Sequence, residues 1–522
     1  MRGSLRKRLR RRSPESGQRR AQQTGRRATL TADIIAGISI ALVLIPQSIA
    51  FADVAGLPAH IGLFAAALPP IAASFLASSP YLQTGPVAVT SLLTAGALAG
   101  MAEPGSAQYV ALASLLALIV GMTRFAIGAL HMGRIVYLMS EPMLRGFTSG
   151  AALLIVISQF PALLGLEGAS GGTLRAFLAA LSSPGSWDGE TIAISASALF
   201  IIAVARRLHS LIPWALLVTG GGVAYSILTG YDGLVVGDIP SGFLHLTLAF
   251  PWQAMPALLV PGLVIALIGF AEAVSIARVF AARERQRWDP DRDFMSQGVA
   301  NIAAAVSGAF PVGSSFSRSS LAWLLGGRTV RAGAIVGIAT LAFIPFASIL
   351  RPLPTAVLSA MVIMAVFGMI RVRTILAIWS LSKPQFLVAS LTFIFTILLA
   401  PRIDEAVILG IFMAGVVHLW REFDLRLVSW SENHTLHVRP EGVLWFGSAE
   451  VLKQKILDLV AENGDANRLV LHMERVGRVD LTASLALESL IEEAREAGLE
   501  PEVVAAHPVT AKALHRVLRR RR

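Results

Sequence analysis

A charged, hydroxyl-rich segment lies in an otherwise apolar part of the chain. Residues 310–320 read Phe-Pro-Val-Gly-Ser-Ser-Phe-Ser-Arg-Ser-Ser, so Arg318 and five serines stand among residues suited to a membrane. A charge at the centre of a membrane helix costs about 3 kcal/mol or more on insertion scales. Arg318 therefore needs a reason to be there, and attracting an anion is one. The structural alternatives are a side chain that extends to the cytoplasmic surface or one that pairs with a carboxylate.

A second segment, in the first half of the chain, has the same design. Residues 85–91 read Gly-Pro-Val-Ala-Val-Thr-Ser, again a Pro-Val pair followed by small and hydroxyl residues that open an apolar run. Pro86 and Pro311 indicate where two helices begin inside the membrane. The first N–H groups of such helices are unpaired, and the helix dipole is positive at that end. Two facing helix starts would form an anion site without any metal.

Polar and aromatic side chains near these helix starts are further candidates for anion contacts. Ser315 and Ser317 offer hydroxyl donors, although hydroxyls in membrane helices often bond to their own carbonyls. Gln47, after Pro46 in the first apolar run, has an amide that can donate to an oxyanion. Phe51 follows one turn later, and an aromatic edge is weakly positive. Helix packing is the alternative role for Gln47 and Phe51.

Glu272 is the other charged residue buried in an apolar run. A carboxylate there can carry a proton together with the anion, whereas pairing with Arg318 is the structural alternative. Glu272, Ser275 and nearby carbonyl groups could equally hold sodium. The residues alone leave the coupling ion open.

Composition places these residues in a polytopic membrane protein. With 54% hydrophobic residues, 15% charged residues and a mean hydropathy of +0.65, the chain has too little polar surface for a soluble domain of its size. A span needs about 20 apolar residues, or fewer where a helix is interrupted. About fourteen spans are predicted, at residues 32–55, 59–77, 84–100, 108–129, 143–165, 190–205, 211–230, 257–280, 294–309, 314–326, 331–350, 353–371, 385–400 and 403–420.

Basic residues predict the orientation in the membrane. Residues 1–30 hold eleven Arg or Lys and one Glu, and the chain ends in four arginines. These tails could bind RNA, but beside membrane spans they favour a cytoplasmic location and anionic lipids, so no nucleic-acid partner is expected. An even number of spans places both termini in the cytoplasm. The inside loops would then carry Arg124, Arg134, Arg145, Arg206, Arg207, Arg328, Arg331, Arg371, Arg373 and Lys383, together with the arginines between residues 278 and 292.

The region after about residue 430 reads as a small cytoplasmic α/β domain. Strands are predicted at residues 434–439, 442–446, 467–473 and 501–506, and helices at 448–462, 481–497 and 508–519.

Several motifs together resemble the sulfate permease (SulP) family of anion transporters and exchangers. In the family's order they are Ile-Pro-Gln-Ser-Ile-Ala-Phe at 45–51, Ala-Gly-Leu-Pro at 55–58, Gly-Leu-Phe at 62–64, Gly-Pro-Val-Ala-Val at 85–89 and Phe-Ser-Arg-Ser at 316–319. Residues 478–483 resemble a helix start in a STAS domain. The likeness covers nearly the whole chain from residue 31.

The resemblance implies a polytopic α-helical membrane protein, usually dimeric, with about 14 transmembrane segments in two inverted seven-helix repeats. These would form a core domain and a gate domain that move anions by an elevator-like motion. The implied domains are a basic cytoplasmic tail at 1–30, a transmembrane domain at 31–422 and a STAS domain at 430–520. Repeat one would span about 31–232 and repeat two about 255–422.

The resemblance also implies where the anion binds, because the family's site lies between spans one and eight and the facing starts of spans three and ten. Ser317 stands where the family's serine lies at the anion, and Glu272 lies in the span in which bacterial symporters of the family use an acidic residue. Val87 replaces the aromatic residue of some relatives, which leaves selectivity open. The expected substrate-binding residues are Gln47, Phe51, Pro86, Val87, Ala88, Ser315, Phe316, Ser317 and Arg318, with Glu272 and Ser275 for coupling.

Thr482 occupies a position that is phosphorylated in soluble STAS relatives. Leu481 and Ala483 replace the usual serine and glycine, so a structural role of this domain in dimer assembly or trafficking is favoured over phosphoregulation.

We therefore expect a secondary anion transporter of the bacterial inner membrane that forms a homodimer and uses no cofactor. Its substrate would be sulfate, bicarbonate or a small dicarboxylate, with H⁺ or Na⁺ as the coupling ion. Nucleobase permeases share the fold but place carboxylates where Ser317 and Arg318 stand. A non-transporting sensor that acts through the STAS domain would not need Arg318 and Glu272, whereas an exchanger or channel-like protein remains open. No nucleophile triad, metal-ligand cluster or phosphate loop is evident, so no enzymatic activity is predicted.

Overall fold

The computed structural model describes residues 14–167, 172–208, 214–240, 246–423 and 426–504. The chain divides into two compact units, one ending at Ile411 and one beginning at Phe412. Within the described residues, eight helices are long and apolar enough to cross a membrane, and five shorter apolar helices accompany them.

Sixteen α-helices precede the sheet of the second unit in the described part of the chain. The first half contains α1 (Pro14–Val54), α2 (Ala59–Ser74), α3 (Ala88–Leu98), α4 (Ala107–Ala129), α5 (Glu141–Leu163), α6 (Thr173–Ser182), α7 (Gly189–Leu208) and α8 (Trp214–Thr229). The second half contains α9 (Met255–Arg283), α10 (Pro290–Val306), α11 (Phe316–Leu324), α12 (Arg331–Phe343), α13 (Thr355–Val366), α14 (Val372–Leu381), α15 (Lys383–Leu398) and α16 (Ile403–Phe423).

Each of the fourteen predicted spans coincides with one of these helices, seven in each half. The additional helices, α6 and α14, have 10 residues each and are too short to span a bilayer. Helix α1 begins at Pro14, well before the predicted start at residue 32, because the basic segment is rich in good helix formers such as Arg, Gln and Ala.

Helices α3 and α11 occupy corresponding positions in the two halves and are only 11 and 9 residues long. Each follows a two-residue strand, β1 (Thr84–Gly85) before α3 and β2 (Gly313–Ser314) before α11. The two strands pair antiparallel, with Thr84 opposite Ser314. The interrupted segments predicted from the sequence therefore meet at the non-helical ends that precede the two helices.

The membrane helices form two bundles. In one, α1, α2, α4, α10 and α12 pack together and carry α3, α9 and α11. In the other, α5 packs against α13 and α15, and α7 packs against α8 and α13. We call these the core bundle and the gate bundle.

Gly62 allows α1 and α2 of the core bundle to touch, because a Cβ atom there would overlap the carbonyl oxygen of Ser48. Gly62→Ala is expected to push the helices apart and to lower the free energy of unfolding by about 1–3 kcal/mol, the usual cost of overpacking. Gly220→Ala is the matched control, since an added Cβ in α8 meets nothing within 4 Å. Thermal unfolding of the purified variants checks this prediction, and equal midpoints for the two would contradict it.

The second unit is built on a five-stranded sheet. Its strands are β3 (Arg426–Glu432), β4 (Thr435–Leu444), β5 (Arg468–His472), β6 (Val476–Val479) and β7 (Glu500–Val504), in the order β3-β4-β5-β7 with β6 also paired to β4. The pair β3 and β4 is antiparallel, and the other pairs are parallel. Helices α17 (Phe446–Glu462) and α18 (Leu481–Glu496) pack against each other, and their apolar residues share one core with those of the sheet.

Two details of the predicted α/β domain are corrected. The segments predicted as two strands, 434–439 and 442–446, form the single strand β4, which continues through Gly442 with a shift of register. Strands β3 and β6 were not predicted, because β3 is mostly exposed and β6 is only four residues long and contains a glycine. The predicted helix at 508–519 lies outside the described residues.

Candidate functional site

A cavity of about 620 Å³ lies between the core bundle and the gate bundle. A single water needs only about 10–15 Å³ of such space, so the cavity has room for a small anion together with several waters. Nine of the residues predicted from the sequence line it: Gln47, Phe51, Val87, Ala88, Glu272, Ser275, Ser315, Phe316 and Ser317.

The starts of α3 and α11 both lie in the cavity wall. Ala88 and Val89 carry the first N–H groups of α3, and Phe316 and Ser317 carry those of α11; all four residues line the cavity. No side chain caps α3, whereas the Ser315 hydroxyl accepts from the Arg318 backbone N–H at 3.5 Å in α11. Two positive helix ends are thereby directed to one cavity.

The structure places Arg318 behind this wall rather than in it. The residue is 1% exposed and is absent from the cavity lining. Its Nη2 atom lies beside Gly85, where a Cβ atom would be 3.4 Å away and where φ of +151° favours glycine. Pro86, which precedes the start of α3, is also buried outside the lining.

The Arg318 guanidinium has unpaired donors. Its Nε and Nη2 atoms have no hydrogen-bond partner among the described residues. Glu272 and Arg318 attract each other electrostatically, but no ion pair within 4.0 Å joins the two side chains. Buried donors left unpaired are costly, so this geometry favours an acceptor, such as an anion or a water, next to Arg318.

Several hydroxyl groups of the two segments are occupied locally. The Thr90 and Ser91 hydroxyls donate to the Val87 carbonyl at 3.1 and 3.0 Å. The Ser319 hydroxyl accepts from the Gln83 backbone N–H at 3.1 Å, and the Ser314 hydroxyl is buried outside the cavity lining. Among the hydroxyls of these segments, those of Ser315 and Ser317 therefore remain in the wall.

The gate wall of the cavity was missed by sequence reasoning. It includes Leu144, Thr148 and Ser149 of α5 and a set of charged residues: Glu141, Arg145, Arg206 and Arg371. The helical spacing of Glu141, Leu144, Arg145, Thr148 and Ser149 along one face of α5 was the available signal. It could not be used, because the sequence does not show which face of a helix meets the core bundle.

Arg124 was predicted in a cytoplasmic loop, and this is wrong. It lies inside α4, which continues to Ala129, and it is 0% exposed. Three backbone carbonyls hold its guanidinium, so the side chain can be buried without reaching water.

Comparison with known proteins places this architecture in a family. The model of the sulfate permease family matches residues 30–392, and the model of the STAS domain matches residues 431–518. The chain belongs to the sulfate permease family. It is an integral membrane protein, and the expected fold of about fourteen spans in two inverted repeats with a STAS domain is confirmed.

Relatives of this sulfate permease family member span bacteria and plants. A probable sulfate transporter of Mycobacterium tuberculosis is 29% identical over 511 residues, which cover 91% of this chain and 89% of the relative. The chloroplastic sulfate transporter 4.1 of Arabidopsis thaliana is 27% identical over 500 residues, covering 88% and 73%. The structure of the murine anion transporter Slc26a9 in its inward-facing state superposes with a TM-score of 0.85 at 20% identity, covering 93% and 87% of the two chains.

Proposed function

We propose that this chain is a secondary active transporter of small oxyanions, with sulfate or bicarbonate as the first candidates and a small dicarboxylate as the next. The observation that carries the proposal is the cavity into which two helix starts open, next to a buried arginine with two unpaired donors. The names of the M. tuberculosis and A. thaliana relatives, both sulfate transporters, support the substrate class.

Charge around the cavity favours anions over cations. Arg145, Arg206 and Arg371 lie in the gate wall, and among the described residues Glu141 is its one carboxylate, paired with Arg145 at 3.0 Å. An excess of positive charge in a concave, partly apolar cavity raises the local concentration of anions. The wall therefore concentrates the substrate before it reaches the helix starts.

The division of the wall between two bundles supports an elevator-type mechanism. The candidate anion contacts come from α1, α3, α9 and α11 of the core bundle, and the opposite wall comes from α5, α7 and α13 of the gate bundle. A movement of the core bundle relative to the gate bundle would carry the anion contacts as one set. Glu272 lies in the same wall as those contacts, where it can couple the movement to a proton or, with Ser275, to sodium.

We further propose that the protein is a homodimer in a bacterial inner membrane, with both termini in the cytoplasm and the basic tails near anionic lipids. Thr482 is exposed in the first turn of α18, and we favour a structural role of this domain in dimer assembly or trafficking over phosphorylation of Thr482, because Leu481 and Ala483 replace the usual serine and glycine.

Uptake of radiolabelled sulfate, bicarbonate and fumarate into proteoliposomes tests the proposal, with proton or sodium gradients imposed one at a time. Accumulation of one anion only in the presence of one gradient supports coupled transport. Uptake that depends on a trapped internal anion would indicate an exchanger, and fast uptake insensitive to every gradient a channel-like protein. The absence of uptake for all three anions would overturn the proposal and favour a sensor, while uracil uptake would favour a nucleobase permease.

A further inference from the structure

Arg124 is a fully buried cation in the core bundle. Its Nε atom donates to the carbonyl of Ala266 at 3.0 Å, Nη2 to that of Ile265 at 3.1 Å and Nη1 to that of Val312 at 2.9 Å. In the described chain, no carboxylate lies within 4.0 Å of its nitrogens. Carbonyl dipoles thus solvate the charge of Arg124, but they do not neutralise it.

The guanidinium lies close to both helix starts and to the helix of Glu272. A Cβ atom on Gly269, one turn before Glu272 in α9, would overlap Nη2 of Arg124 and lie 3.2 Å from Thr90 in the first turn of α3. Val312 stands directly before β2, which leads into α11. The guanidinium therefore bonds to α9 and to the segment before α11, and it lies near the first turn of α3.

We propose, on the basis of the proposed transport function, that Arg124 is a positioning residue. Its charge also strengthens the binding of anions in the cavity. Its three hydrogen bonds fix α9 relative to the segment before α11, and its charge acts on the anion through space. Arg124 and Arg318, both buried, and Glu272 in the cavity wall together carry one net positive charge when Glu272 is ionised. A protonated Glu272 leaves two, which match a divalent anion.

A second contact to Val312 allows the effect of the Arg124 charge to be separated from the structural effect of its hydrogen bonds. Asn301 also holds Val312, because its Oδ1 accepts from the Val312 N–H at 2.9 Å and its Nδ2 donates to the Val312 carbonyl at 3.2 Å. The segment before α11 therefore keeps an anchor when Arg124 is replaced. For this reason Arg124→Gln, which keeps donors but removes the charge, is expected to fold.

The test compares the binding of a divalent and a monovalent anion to the purified full-length chain, with sulfate and bicarbonate measured by calorimetry at one ionic strength. Coulomb energy is proportional to the charge of the ligand, so a lost unit charge about 10 Å away, at an effective dielectric constant of about 20, should weaken bicarbonate binding about 16-fold and sulfate binding about 270-fold. Arg124→Lys retains the charge and should preserve the ratio of the two affinities.

Equal factors of loss for the two anions in Arg124→Gln would show a purely structural role and overturn the inference while leaving the proposed function intact. Wild-type protein that binds neither anion would overturn both. Where Arg124→Gln does not fold, the same comparison is made with Arg124→Met, which is neutral and of similar length: a larger loss for sulfate than for bicarbonate supports the role of the charge, and equal losses overturn it.

Discussion

Arg318→Ala is expected to abolish gradient-driven anion uptake, lowering its initial rate at least about a hundredfold, because hydrogen bonds to a charged group contribute about 1.5–3 kcal/mol each and two donors are lost. The Nε and Nη2 atoms of Arg318 are buried and have no partner among the described residues, so we expect the bound anion, or a water beside it, to be their acceptor. Uptake of radiolabelled anion into proteoliposomes measures the effect, with binding of the same anion to the purified variant as a second readout.

Two control variants distinguish the specific effect of losing Arg318 from the effect of losing any positive charge. Arg328→Ala removes an exposed arginine that follows α11 and should transport like wild type. Arg318→Lys keeps the charge but not the planar set of donors, so an intermediate rate is expected. Wild-type uptake by a folded Arg318→Ala variant would contradict the assignment of the site.

Glu272→Gln is expected to uncouple transport from the ion gradient. The carboxylate lines the cavity and is not held in an ion pair within 4.0 Å in the described chain, so it is free to take up and release a proton as the core bundle moves. A gradient of one pH unit can accumulate an anion about tenfold for each coupled proton, since a tenfold ratio corresponds to about 1.4 kcal/mol. Glutamine has nearly the same shape and cannot be protonated, so this accumulation should fall to the equilibrium level.

Exchange of labelled anion across the membrane without any gradient is the matched measurement for Glu272→Gln, and it should persist because the anion contacts remain. Ser275→Ala distinguishes the coupling ions. If sodium is held by Glu272 and Ser275, this variant loses much of its sodium dependence, whereas proton coupling should leave it nearly unchanged. A Glu272→Gln variant that still accumulates anion against its gradient would exclude this residue as the coupling group.

Much of the candidate wall could be predicted from the sequence because its residues break a local pattern. Glu272 and the serines of residues 314–320 stand out as polar groups in apolar runs, and Pro86 and Pro311 mark helix starts within a few residues. Nine of the predicted residues do line one cavity. The family motifs contributed Gln47 and Phe51, whose local pattern alone does not distinguish a ligand contact from helix packing.

Other features of the site depend on contacts between residues far apart in the chain. From the sequence, Arg124 was predicted in a loop. Its burial depends on the carbonyls of Ile265, Ala266 and Val312, which are more than 140 positions away in the chain. The arginines of the gate wall looked like markers of orientation, because the sequence does not reveal that α5 and α7 face the core bundle. Thr90 and Ser91 belong to the hydroxyl-containing segment 85–91, and only the structure shows that their hydroxyls donate to the Val87 carbonyl and not to the cavity.

By itself the sequence determined the membrane class, the number of spans and the two interrupted segments, since hydropathy and helix punctuation are properties of neighbouring residues. Only the tertiary structure decided that Arg318 lies behind the cavity wall with two donors unpaired among the described residues, that Arg124 is fully buried and that the gate bundle supplies one side of the wall. The physical reason is that burial and hydrogen bonding inside a membrane protein are settled between helices, where each polar group must find its partner on another segment of the chain.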